Sequence, residues 1–199
     1  VPDSAGIPKA IQDTMLVAPF NDLETVESLI REHQDDLAGV IVEPFQRLIP
    51  PAPGFLQGLR KITAELGIPL IFDEVVTGFR FAYGGAQEYY GVTPDLCTLG
   101  KIMGGGFPLA AVAGRADMMA HFDRAVVGDE DFLMQVGTLS ANPVASVAGL
   151  ATLEVLKRPG MYETAFATGR ELMGTLDELL KSAGLPAQAY VRDVDYAVR

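Results

Sequence analysis

The sequence predicts a three-layer α/β fold with a mostly parallel sheet and flanking helices. Short apolar runs alternate with stretches of helical periodicity from the start of the chain to about residue 115. This alternation is typical of a parallel sheet whose strands are joined by helices. With 199 residues, of which 49% are hydrophobic, the chain can also bury a sizeable core.

The first elements follow from the spacing of their apolar residues. The apolar run at 14–18 predicts a strand. Apolar positions then recur at helical spacing over 23–34, behind an Asn-Asp pair that can cap a helix. The β-branched run at 38–42 predicts a buried strand. A second helical stripe occupies 55–66 and stops at a glycine, as helices commonly do.

The middle of the chain continues the same alternation. A strand is predicted at 68–72, where it leads directly into an Asp-Glu pair. One short helical turn is predicted at 86–90. Strands follow at 96–99 and at 109–113, and a helical segment is predicted at 115–122.

Two long helices without a strand between them are predicted near the end of the chain. Asn142 caps the first, which opens with proline and covers 143–156. The second covers 162–182 and is bounded by glycine and proline. We therefore expect these helices to close one domain and to connect it with a second domain, with the division near residue 157.

Composition excludes several classes of function. The chain has 15 basic and 26 acidic residues and a formal net charge of −11. Nucleic-acid surfaces need clustered lysine and arginine, so we expect no nucleic-acid partner. No uninterrupted run of the roughly 20 apolar residues that a membrane-spanning helix needs is present, so we expect no membrane partner.

The cysteine and histidine content points in the same direction. Cys97 is the only cysteine, which excludes a disulfide within the chain, and its position inside a strand favours inert packing. One cysteine and two histidines are too few for a structural zinc site, so no metal is expected. A cytoplasmic location fits this usage. The chain begins with Val-Pro-Asp rather than Met, and we expect it to be a piece of a longer protein.

Three ionisable residues follow predicted strands and carry the functional argument. They are Glu43, Asp73 and Lys101. In an open α/β sheet, ligands bind outside the carboxyl ends of the strands. An acid and a lysine at neighbouring strand ends suit pyridoxal phosphate chemistry, in which the lysine binds the cofactor and the acid pairs with its ring nitrogen. Spacing alone fits a buried Asp–Lys ion pair equally well, or two unrelated surface residues.

The local sequences are more specific than the spacing. The string IFDEVVTGFR at 71–80, the string TPDLCTLGK with GGGFP at 93–108 and the string GTLSANP at 137–143 occur in this order. Together they resemble the motifs of the class III (subgroup II) pyridoxal-phosphate-dependent aminotransferases. The resemblance extends from about residue 14 to 185. It implies that residues 1–157 are the second half of the cofactor-binding large domain of a fold-type-I transferase, and that residues 158–199 are a connecting helix and the start of a small, incomplete C-terminal domain. It also implies amino transfer between small-molecule donors and acceptors.

The resemblance also implies a role for individual residues. Lys101 would bind pyridoxal 5'-phosphate through a Schiff base and later carry a proton. Asp73 would hold the pyridinium nitrogen, and Val75 would pack on one face of the ring. Gln46 would lie near the phenolic oxygen of the cofactor. Thr138 would reach the phosphate in the neighbouring subunit, so that a homodimer with a shared active site is expected.

Two other functions stay open at this point. The strings GGAQ at 84–87 and YYGV at 89–92 most resemble glutamate-1-semialdehyde 2,1-aminomutase and its close aminotransferase relatives. Such an enzyme moves the amino group within one substrate, and the strand-end residues do not separate the two reactions. The other possibility is a catalytically inactive fragment or binding module. The isolated 199-residue chain is expected to be inactive, because the phosphate cradle and most of the small domain would lie outside it.

Overall fold

The computed structural model describes residues 4–185 and has the predicted α/β architecture, with flanking helices. Within this range the sheet contains four strands in the order β1-β2-β3-β4. The strands β1 and β2 are parallel, as are β2 and β3, and β4 is antiparallel to β3. Their bounds are Val40–Val42 for β1, Leu70–Glu74 for β2, Leu96–Leu99 for β3 and Ala111–Gly114 for β4.

The predicted helices are present, and the structure adds two short α-helices, one near the start of the chain and one after residue 123. The α-helices are α1 Lys9–Gln12, α2 Leu23–Glu32, α3 Phe55–Leu66, α4 Gly85–Tyr90, α5 Ala116–Met119, α6 Arg124–Val127, α7 Pro143–Leu156 and α8 Met161–Ser182. Short 3₁₀ helices cover Lys101–Gly104 and Ala120–Phe122.

Local signals explain where the long helices begin. The Asp22 side chain accepts a hydrogen bond from the Thr25 N–H at 3.0 Å at the start of α2. The Asn142 side chain accepts from the N–H groups of Val144 and Ala145 at the start of α7. Such caps satisfy backbone donors that have no partner inside the helix. Both capping residues agree with the sequence analysis.

The hydrophobic core lies between the sheet and the helices α2 and α3. The side chains of Leu70 and Phe72, on β2, are fully buried there. Burying such a side chain contributes about 1.5–3 kcal/mol. The same cluster contains Val26, Ile30, Phe55, Leu56, Leu59, Ile62, Ile68, Val92 and Cys97. This core therefore holds β2 and β3 side by side.

The structure corrects three details of the predicted sheet. Residues 14–18 are not a strand, because no described strand forms a ladder with this apolar run. The strand predicted at 68–72 lies two residues later, since Asp73 and Glu74 still pair with Thr98 and Leu99 of β3. The last strand runs from 111 to 114 rather than from 109 to 113. The predicted division at residue 157 remains a prediction, and residues 186–199 lie outside the described range.

A buried carboxylate joins α3, β2 and β4. Asp95, just before β3, accepts hydrogen bonds from the Leu70 N–H at 2.8 Å, from Arg60 at 2.7 Å and from Arg115 at 3.1 Å. Burial raises the pKa of this carboxyl, but these three bonds outweigh it. The pKa of Asp95 therefore lies below its ordinary value of 3.8.

Asp95→Ala is expected to lower the free energy of unfolding by about 3 kcal/mol at pH 7, because it leaves buried donors without an acceptor. Asp117→Ala is the matched control, since its carboxylate contacts Arg115 from the exposed side, and its expected cost is below about 1 kcal/mol. Urea unfolding of the two variants and the wild type measures both differences.

The same measurement has a defined pH dependence. Because the folded pKa of Asp95 is lowered, its contribution is complete above the pKa of the unfolded chain. This contribution is lost as the pH falls through the folded pKa. The difference between wild type and Asp95→Ala should therefore shrink below about pH 4. A difference that stays constant down to pH 2 contradicts the assignment.

Candidate active site

Asp73 lies at the carboxyl end of β2 and is held there by two hydrogen bonds. Its Oδ1 atom accepts from the Thr98 hydroxyl at 3.1 Å and from the Val75 N–H at 3.0 Å. Thr98 faces Asp73 directly across the β2–β3 ladder. The carboxylate is therefore oriented through Oδ1, and no hydrogen bond within the described range uses Oδ2.

Lys101 lies at the neighbouring strand end. It comes two residues after the end of β3 and begins a 3₁₀ helix. Its side chain is exposed, and its backbone has a φ of +46°, which is unusual for a residue other than glycine. Because β2 and β3 are parallel and paired, Asp73 and Lys101 lie at one edge of the sheet, as the sequence predicted.

Val75 lies between these two segments. A Cβ atom added to Gly100 would lie 3.5 Å from Val75 Cγ1, an ordinary van der Waals distance. The Val75 side chain is half-buried, and a β-branched side chain is stiff about its first torsion. It therefore offers a fixed apolar surface beside the backbone that leads to Lys101.

Gln46 occupies a tight turn beyond the end of β1. The Ile49 N–H donates to the Gln46 carbonyl at 2.7 Å, and the two central residues, Arg47 and Leu48, have φ values of +46° and +70°. Two adjacent positive φ values define a turn that normally uses glycine, asparagine or aspartate. Backbone strain of this kind is found at functional sites more often than elsewhere. Gln46 itself is half-buried.

Thr138 is the predicted site residue that follows the strand ends furthest along the chain. Thr138 is exposed and lies in the turn that precedes α7. In the part of the chain from 4 to 185, no described hydrogen bond joins it to Asp73 or Lys101. The predicted role of Thr138 places it in the active site of another subunit, and this role stays a prediction.

Sequence reasoning missed two residues that support this site. One is Thr98, which the register places against Asp73. The other is Glu74, which is fully buried and accepts hydrogen bonds from the Ala86 N–H, the Thr77 hydroxyl and the Gln87 amide. Glu74 thereby ties the segment after β2 to the strand that carries Asp73. The Asp-Glu pair was visible in the sequence, but the partners of Glu74 were not.

A cavity of about 570 Å³ is lined by Cys97, Leu99 and residues of the segment 78–87, and it contains none of the five predicted residues. Burial raises the pKa of the Cys97 thiol, and the charge of Glu74 adds to this effect. A protonated, buried thiol agrees with the predicted packing role of Cys97.

Two features are absent from residues 4–185. None of the helices in this range is both long and apolar enough to cross a membrane. The same range contains no cluster of three or more histidine, cysteine, aspartate or glutamate residues that could hold a metal ion.

The site suits one class of enzyme. A carboxylate with a free oxygen, a β-branched apolar surface and an exposed lysine at adjacent strand ends are the groups that pyridoxal-phosphate-dependent transferases use. Comparison with known proteins agrees. The family profile described as "Aminotransferase class-III" matches residues 2–192. The chain belongs to the class III aminotransferase family, whose cofactor is pyridoxal phosphate.

Solved structures of the same fold include several transaminases. An omega-transaminase from Sphaerobacter thermophilus is 40% identical, with a TM-score of 0.85, over 100% of this chain and 48% of its own. A beta-phenylalanine aminotransferase from Variovorax paradoxus is 39% identical, with a TM-score of 0.75, over 87% and 40%. A glutamate-1-semialdehyde-aminomutase variant from Pseudomonas aeruginosa PAO1, solved in complex with PMP, is 29% identical, with a TM-score of 0.73, over 94% and 43%.

These comparisons confirm the family and the fold that the sequence motifs predicted. The chain spans less than half the length of each of these solved relatives.

Proposed function

We propose that this chain supplies Lys101 and Asp73 to the active site of an enzyme that transfers amino groups with pyridoxal phosphate. The observation that carries the proposal is the position of the two residues at adjacent ends of β2 and β3. The oriented carboxylate of Asp73 supports it further. Small-molecule amino donors and acceptors are the proposed substrates of the whole protein.

The chemistry divides between the cofactor and the protein. Bound pyridoxal phosphate supplies an electron sink next to the carbon that loses its proton. Asp73 would hold the ring nitrogen through Oδ2, and its negative charge would favour the protonated form of that nitrogen. Lys101 would hold the cofactor covalently, and its Nζ atom would serve as the proton carrier. Thr98 and the Val75 N–H hold Asp73 in orientation.

Two further residues are proposed to shape the cofactor site. Val75 would pack its stiff side chain against one face of the ring. Gln46 would donate from its side-chain amide to the phenolic oxygen, and the strained turn at Arg47 and Leu48 would fix its position.

Borohydride reduction of the holoenzyme tests the assignment of Lys101. Reduction converts a carbon–nitrogen double bond between the lysine and the cofactor into a stable single bond. Peptide mapping should then find the label on the peptide that contains Lys101. Lys61, an exposed lysine on α3, is the internal control and should stay unlabelled. A label on any lysine other than Lys101 refutes the assignment.

We further propose that the active site is shared in a homodimer and that Thr138 acts on the cofactor phosphate of the other subunit. The test mixes a Lys101→Ala protein with a Thr138→Ala protein. If Thr138 acts across the interface, each mixed dimer has one site with both defects and one with neither. Activity should therefore recover toward half of the wild-type value per mixed dimer.

The control for that experiment is an independent measure of subunit exchange, for example with two affinity tags. If exchange is complete and no activity returns, Thr138 belongs to the site of its own subunit. The exposed position of Thr138, in a turn separate from the strand ends, is what favours the shared site.

Glutamate-1-semialdehyde 2,1-aminomutase activity is the second candidate. It is favoured by the 84–87 string and by the similarity to the aminomutase from Pseudomonas aeruginosa. Net transfer from an amino acid to a separate keto acid separates the two reactions. For the 199-residue chain alone we propose no turnover, since it spans under half of its relatives. A cytoplasmic location is part of the same proposal.

A further inference from the structure

We infer that α7 is a brace for Lys101: the close approach of its Gly149 to the Lys101–Gly104 helix holds the lysine in its strained backbone conformation. In this reading Gly149 is a positioning residue that acts through Lys101. The functional part of the inference rests on the proposed attachment of the cofactor to Lys101.

The strain at Lys101 calls for a structural support. A φ of +46° is disfavoured for a side chain with a Cβ atom. Such conformations persist only where the surrounding structure over-determines them. The preceding Gly100 is extended, with a φ of −172°, so the reversal of the chain is concentrated at Lys101.

The support comes from the residues directly after the lysine. Met103 and Gly104 are buried, although Lys101 itself is exposed. The Met103 N–H donates to the Gly100 carbonyl and the Gly105 N–H to the Ile102 carbonyl, which closes the turn on itself. The turn is thus a compact unit, and whatever packs on Met103 and Gly105 also fixes Lys101.

The packing surface is the small-residue side of α7. A Cβ atom at Gly149 would lie 3.0 Å from the Met103 carbonyl oxygen and 2.6 Å from Leu109 Cδ2. A Cβ atom at Gly105 would collide with the Thr152 hydroxyl and lie 3.2 Å from the Ala148 carbonyl oxygen. Glycine is therefore required on both sides of the contact, because only it allows the two backbones to approach this closely.

Two features make this contact specific. The two glycines of α8 have free space, since a Cβ atom at Gly169 or Gly174 would meet nothing within 4 Å. Gly105 also has a positive φ, of +59°, which glycine adopts without strain, so this position needs glycine for its backbone conformation as well as for space.

The test compares Gly149→Ala with Gly174→Ala in the whole protein. Without cofactor, amide hydrogen exchange over 102–107 should become at least about tenfold faster in Gly149→Ala and stay within about twofold of wild type in Gly174→Ala. With pyridoxal phosphate, turnover should fall about tenfold or more, with KM changed less than about threefold.

A second substitution tests why Gly149→Ala loses activity. Leu109 supplies the 2.6 Å contact, so Leu109→Ala added to Gly149→Ala should restore exchange and turnover to within about threefold of wild type. If Gly149 acted only on the overall stability of the protein, Gly149→Ala would lower that stability, and adding Leu109→Ala would not restore exchange and turnover. If Gly149→Ala does not fold, Thr152→Ala loosens the same contact from the other side and should accelerate exchange at Gly105.

The outcomes separate the brace from the proposed function. Wild-type exchange over 102–107 in both Gly149→Ala and Thr152→Ala overturns the brace. Faster exchange, together with borohydride labelling of a lysine other than Lys101, supports the brace as a backbone support and overturns the cofactor assignment. Faster exchange with unchanged turnover and labelling of Lys101 overturns the positioning role of Gly149.

Discussion

Lys101→Ala is expected to lower amino transfer by about 10⁴-fold or more, because the same side chain binds the cofactor and moves the proton. The variant should fold normally, since the Lys101 side chain is exposed and no described ion pair depends on it. Steady-state turnover and the absorbance of bound cofactor measure the two losses separately.

The matched control for this prediction is Lys61→Ala, which removes an exposed lysine from α3, away from the strand ends. Its turnover should stay within about twofold of wild type, as is usual for an exposed surface position. Added small amines can replace the lost proton carrier, so partial recovery of Lys101→Ala by methylamine is a further expected result. Turnover of Lys101→Ala within tenfold of wild type would falsify the proposed role.

Asp73→Asn is expected to lower turnover by roughly a hundredfold or more while the protein still binds the cofactor. The asparagine keeps the size of the side chain and can still accept the bonds from Thr98 and the Val75 N–H. It removes the charge that keeps the ring nitrogen protonated. The defect should therefore appear in kcat far more than in the binding of pyridoxal phosphate, which equilibrium titration measures.

Asp36→Asn is the control, because this exposed aspartate lies in the connection between α2 and β1. It changes the net charge by the same amount and should leave turnover unchanged. Thr98→Val is informative beside it, because it removes one of the two bonds that orient Asp73 and should produce a smaller loss than Asp73→Asn. Normal turnover in Asp73→Asn contradicts the role of Asp73.

Strand ends were the most predictable part of the site. The strand 96–99 has the predicted bounds, and helix α7 begins after Asn142 as its cap and proline indicate. The shared edge of Asp73 and Lys101 follows from two parallel strands, which the alternation of strands and helices predicts. These features depend on local patterns and on a general rule of α/β sheets, so they need no knowledge of tertiary contacts.

What the sequence could not supply depends on contacts between distant segments. The run at 14–18 is apolar, yet a strand also needs a partner, and a partner leaves no local signal. Arg47 and Leu48 have positive φ values although neither residue type favours them, so the residue types at this turn did not predict its conformation. The partners of Glu74 lie up to 13 residues away, beyond any helical or strand period.

Because Asp73 and Glu74 are adjacent in β2, this strand tolerates no shift of its register by one residue. Successive side chains of a strand point to opposite faces. Asp73 therefore faces the proposed cofactor site, and Glu74 faces its buried hydrogen-bond donors. Inserting or deleting one residue within β2 would exchange the two faces for both acids at once. The buried donors and the proposed cofactor site would lose their carboxylates together. Chain-length variation in this protein should therefore occur in the connections before β2, and not within the strand itself.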